Sequence, residues 1–121
     1  MYNLYIKGAD KALDDVTVFS EKFAKRLVYL RMRKGVSARE MSISLGLANN
    51  YINGIENGKS MPSMVMFWAI CKYLDITPQE FFDFDNKMPS ISRELLEEAN
   101  RMDNETMQIL LQLMRKLNTG K

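Results

Sequence analysis

The chain has 121 residues, 46% hydrophobic and 26% charged, with a net charge of +2. That balance describes about one globular domain and excludes a disordered chain. One cysteine and no histidine exclude an internal disulfide, a Cys/His zinc site, and the Cys-His and Ser-His-Asp nucleophiles, so a binding protein is expected rather than an enzyme. No apolar run approaches the roughly 18 residues of a membrane span, and Asp10, Asp14 and Asp15 do not suit a secretory signal. A cytoplasmic protein is expected, with no cofactor, no metal, no membrane partner and no evident small-molecule ligand.

In chain order, Tyr2, Leu4 and Ile6 alternate, which permits either a short strand or a flexible arm over residues 1–18. Phe19, Phe23, Leu27 and Leu30 then recur at helical spacing. They predict a helix over about residues 20–34, with Ser20 as N-cap and Gly35 as C-cap. Charge is sorted along this stretch: Lys22 to Arg39 holds seven basic residues and no acid, whereas Asp75 to Asp85 holds four acids and no base. A positive pole of this kind is the footprint of a phosphate binder, although a solvated helix face produces the same pattern. Ser37 opens a second helix, with Glu40 completing a capping box, Met41 and Leu45 on its buried side and Gly46 stopping it.

Residues 49–57 read two ways. Asn53-Gly54 between apolar residues is a hairpin signal. The three-residue spacing of Ile52 and Ile55, and the shortness of any flanking strands, favour a helix. Pro62 suits a first-turn position before the apolar stretch Met64–Leu74. Within it, Met61, Val65 and Trp68 form a second apolar stripe that requires a cover of its own. Cys71 reads as a small core residue. Thr77 and Glu80 form a capping box with Pro78 at the first helical position. Two more helices are predicted, over about 92–101 and, after Asp103 as N-cap, about 104–118.

The order helix, Gly35, helix, Gly46, helix ending Ile55-Glu56-Asn57-Gly58-Lys59, Pro62, apolar helix and capped short helix resembles the phage-repressor and Cro-like helix-turn-helix family, also called the xenobiotic-response-element family. The resemblance runs from about Phe23 to Phe82 and rests on joint order and spacing rather than on any one residue. It implies an all-α fold, a five-helix domain over residues 19–86; by their own pattern residues 1–18 are expected to form an N-terminal arm and residues 87–121 a helical oligomerisation extension. It also implies that residues 49–57 are a recognition helix and that Arg31 and Glu56 pair to orient it.

On that footing, the resemblance implies a sequence-specific transcriptional regulator that binds double-stranded DNA as a homodimer. Asn49, Asn50, Tyr51 and Asn53 are the expected base contacts, because asparagine can pair bidentately with adenine in the major groove. Arg39, Lys59, Lys34 and Arg33 are the expected phosphate contacts. Ser42 stands where the family usually has alanine and keeps the close approach of two helices. Ala38 and Ala48 replace the usual glutamine and serine or threonine anchors, and Gly54 replaces a longer side chain. The alternative is a protein-interaction module of antitoxin or phage-switch type that keeps the fold and uses the apolar C-terminal helix to bind another protein. In the last helix, Met107, Leu110, Leu111, Met114 and Leu117 share a face, widened by Ile109 and Leu113, and are expected to make the dimer in preference to docking within the chain on Met61, Val65 and Trp68.

Overall fold

The computed structural model describes residues 2–120, with side chains from residue 14 onward. Among these residues there are seven helices and no strand: α1 (Tyr2–Lys34), α2 (Ala38–Ser44), α3 (Tyr51–Glu56), α4 (Met64–Leu74), α5 (Pro78–Phe82), α6 (Pro89–Asn100) and α7 (Asn104–Thr119). None of them is long and apolar enough to cross a membrane. The chain divides into two compact units, Met1–Asn86 and Lys87–Lys121.

The first unit is built on α1. Phe23, Leu27 and Leu30 line one face of this helix and are buried against Met41 of α2, Ile52 and Ile55 of α3, Phe67, Ile70, Cys71 and Leu74 of α4, and Phe81 of α5. The spacing of these residues at three and four places each helix apolar side inward. The six phenylalanines of the chain form one connected set of rings. Phe23 packs at a tilt on Phe81 with ring centroids 4.7 Å apart, Phe67 meets Phe81 edge-on at 5.1 Å, and Phe19 reaches Phe82 at 6.0 Å. Ring pairs at these separations add to simple burial.

Two expectations are corrected at the start of the chain. α1 does not begin after Ser20, which is an interior residue of a helix running from Tyr2. Phe19, one turn before Phe23, packs its ring on Phe82 and Phe84, so the helix runs through residue 20 and needs no cap there. The alternation of Tyr2, Leu4 and Ile6 is carried on helical backbone, not on a strand; the side chains of these three lie outside the described ones.

The helix ends follow from their caps. Ser37, Ser63 and Thr77 accept backbone N–H groups three residues on. At α2 only the serine half of the expected capping box is made, whereas at α5 both halves are present, Glu80 returning a bond to the Thr77 N–H at 2.8 Å. Gly46, at φ +75°, closes α2: its N–H donates to the Ile43 carbonyl and the Leu47 N–H to the Ser42 carbonyl. This left-handed turn between two helices is a backbone position that suits glycine.

The second unit comprises α6 and α7. Asp103 caps α7, its carboxylate accepting the Thr106 N–H at 2.7 Å, which holds the Asp103 carboxyl below its ordinary pKa. No side chain of α7 is buried.

Candidate nucleic-acid interface

The α2–turn–α3 segment is assembled from three attachments. Arg31 of α1 donates from Nε to Glu56 Oε2 at 2.6 Å and from Nη2 to Glu56 Oε1 at 2.9 Å, while Nη1 donates to the Val36 carbonyl at 2.9 Å. The fork engages both carboxylate oxygens, so it fixes direction as well as position. Hydrogen bonding to Glu56 raises the Arg31 pKa further. The C-terminal end of α3 is thereby anchored to α1.

Ser42 anchors the other end. Its side chain is fully buried. The hydroxyl donates to the Ala38 carbonyl at 2.8 Å and accepts the Ile52 N–H at 3.0 Å. Asn50 occupies the N-cap position of α3 yet makes no side-chain capping bond. Ser42 therefore satisfies, from α2, an N–H group that a helix start otherwise leaves without a partner. From the sequence alone Ser42 has only a steric role. The signal was the serine beside Met41 on the buried side of α2, combined with the lack of a capping side chain at Ala48.

The third attachment holds the frame together. Arg26 is buried and donates to three backbone carbonyls: Nε to Phe81 at 2.9 Å, Nη1 to Asn86 at 2.7 Å and Nη2 to Glu80 at 2.7 Å. Two of these are terminal carbonyls of α5, where a positive charge is also favoured by the helix dipole. Burial lowers the Arg26 pKa, with Asp83 opposing.

Arg26, Arg31 and Lys34 were all counted toward a positive pole. Arg26 is enclosed by carbonyls and Arg31 is neutralised by Glu56. Lys34 donates to the Tyr73 carbonyl and lies over the Tyr73 ring at 4.1 Å. The basic stretch thus presents less free charge than its sequence implies. Arg33, Arg39 and Lys59 are exposed.

Asn49, Asn50 and Asn53 are exposed around the N-terminal part of α3. Tyr51 differs: it is half-buried against the core, and that burial raises its hydroxyl pKa. The hairpin alternative is excluded, because Asn53 and Gly54 are inside α3 and the Gly54 N–H donates to the Asn50 carbonyl at 2.9 Å. The regular helix starts at Tyr51 and ends at Glu56, shorter by two residues and by one than the expected 49–57, since Asn49 and Asn50 form the turn leading into it.

Two helices set at an angle by a glycine turn, the second braced at both ends, match the helix-turn-helix family over residues 27–81. The chain carries a phage-repressor/Cro-like helix-turn-helix domain. The match begins at Leu27 and ends at Phe81, both fully buried in the core. No curated protein matches the chain significantly. Helix-turn-helix domains of this kind bind DNA and regulate transcription, and that general class holds for this chain.

Proposed function

We propose that this protein is a sequence-specific regulator that binds double-stranded DNA as a homodimer, with residues 49–57 of each helix-turn-helix domain in the major groove. The observation that carries this reading is the combination of three exposed asparagines with a helix held rigidly at both ends. Asn50 is at a cap position but is not used as a cap, which leaves its amide for a base edge. Tyr51, half-buried, supplies a ring edge to a sugar or thymine methyl rather than a full stacking surface. Arg39 and Lys59 take phosphates, with Arg33 and, after release from Tyr73, Lys34 beside them. One such domain reads few base pairs. Two recognition helices roughly 34 Å apart meet successive major grooves and double the site. The dimer uses the wide apolar face of α7, on which Ile109 and Leu113 lie beside Met107, Leu110, Leu111, Met114 and Leu117.

Selection of bound sites from random duplexes, followed by affinity measurement over a salt series, tests the reading. A two-fold-symmetric site and a steep loss of affinity with salt are expected. Equal, weak binding to all duplexes overturns it.

A second reading, a protein-interaction module on the same fold, is favoured by the face of α4, where Met64 and Val65 are 81% and 80% exposed beside Trp68 and Met61. A large exposed apolar patch marks an interaction surface. In that case the protein binds a protein partner and shows no DNA site preference.

A further inference from the structure

The second unit has no core of its own. Between Met107 and Leu117, α7 carries seven large apolar side chains, and none is buried. At 3.6 residues per turn they span an arc of about 200°, roughly twice the stripe a surface helix needs. A unit below about 40 residues usually takes its missing stability from a disulfide, a metal or oligomerisation. The single cysteine, Cys71, belongs to the other unit.

We propose that α7 pairs antiparallel with α7 of a second copy of this chain, across a two-fold axis, along the stripe Ile109, Leu113 and Leu117. The proposal rests on the homodimer reading above and adds orientation and register to it. The stripe contains the most exposed apolar residues of α7, at 61%, 52% and 63%, whereas Met107 and Leu110 beside it are already half-buried. Charge decides the direction. No charged residue lies between Glu105 in the first turn and Arg115 near the last. Glu105 and Lys116 are eleven residues apart, close to three whole turns, so both flank the same side of the stripe. Antiparallel packing centred between Leu110 and Leu113 brings Glu105 within a turn of Lys116 of the partner subunit, twice by symmetry. Parallel packing in register keeps Glu105 about 16 Å along the axis from Lys116 of the partner subunit, so the two charges do not meet. The helix dipoles also oppose in the antiparallel arrangement.

Single cysteines in the full chain test the register, because Cys71 is buried and does not compete. With 1.5 Å of rise per residue, two Leu113→Cys sites are offset by about 5 Å along the axis and two Leu117→Cys sites by about 16 Å. Mild oxidation should link the Leu113→Cys dimer at least about tenfold faster. Sedimentation of the wild-type chain runs alongside. A wild-type dimer in which Leu117→Cys links as fast as Leu113→Cys means parallel pairing, and a dimer in which neither links means an interface elsewhere; both overturn the proposal and leave the homodimer reading intact. A wild-type monomer that binds DNA overturns both. The charge pair is tested separately: Lys116→Glu should weaken the dimer about threefold to tenfold, and adding Glu105→Lys should restore it. Absence of rescue overturns the antiparallel register.

Discussion

Ser42 places a single hydroxyl between two helices, and its removal affects both. Ser42→Ala leaves the Ile52 N–H buried without a partner, with an expected loss of about 1–2 kcal/mol in chemical denaturation. Because the same bond orients α3, specific DNA affinity should fall more than nonspecific affinity. Arg26 is the larger single contributor. Arg26→Ala leaves carbonyls of α5 unsatisfied and should cost on the order of 3 kcal/mol, with Arg26→Lys recovering little because an ammonium cannot span the fork. On the exposed side the roles separate. Asn49→Ala or Asn50→Ala should relax preference at one position per half-site by about 1–3 kcal/mol, whereas Arg39→Ala or Lys59→Ala should weaken all sequences alike and flatten the salt slope. Identical behaviour of the two classes on selected and random duplexes would refute that division. Cys71 is inert by the same burial logic: desolvation pushes its thiol up to about 11, so alkylation at pH 8 should proceed no faster than unfolding.

Among the elements, α3 is too short to hold itself. Its six residues are well under the length at which an isolated helix persists, so its stability comes from α1 and α2. Gly46 is the joint that permits this. A side chain there meets no steric neighbour but must adopt φ +75°, so Gly46→Ala should destabilise by about 1–2 kcal/mol through backbone strain alone. The start of α7 responds to pH. The Asp103 carboxyl is depressed below 3.8 by the Thr106 N–H, so its capping contribution is present above that pH and is lost as pH falls through the folded value. Helix content followed by circular dichroism should drop below about pH 4 in the wild type, and Asp103→Asn, which caps without titrating, should flatten that part of the curve.

For the whole molecule, the division between Asn86 and Lys87 separates a unit with a core from a unit without one. Every member of the buried cluster lies between Phe23 and Phe81. Deleting the chain after Pro89 should therefore leave a cooperatively folding domain. On the homodimer reading, that truncation sediments as a monomer and binds the selected duplex far more weakly than the full chain. A persisting dimer would move the interface to the exposed face of α4.

Much of this architecture was legible in the residues because it depends on local physics. Apolar spacing at three and four placed Leu27, Leu30, Met41, Ile52 and Ile55 inside, and Gly35, Ser37, Gly46 and the Thr77–Glu80 capping box with Pro78 marked helix ends, whereas Pro62, read as a first-turn residue, lies before the N-cap Ser63 of α4. The Arg31–Glu56 pair entered through family resemblance, since no local rule joins residues so far apart in sequence. Three features escaped because they are decided by contacts between distant segments. The continuation of α1 through Ser20 is held by Phe19 meeting Phe82 and Phe84. The charge of Arg26 is absorbed by carbonyls more than fifty residues away, so a basic residue in the sequence is not a basic surface in the fold. The hydroxyl of Ser42 acquires its role only when α3 is laid across α2. Periodicity assigns a residue to a face, and only the packed structure determines which donor on that face finds which acceptor.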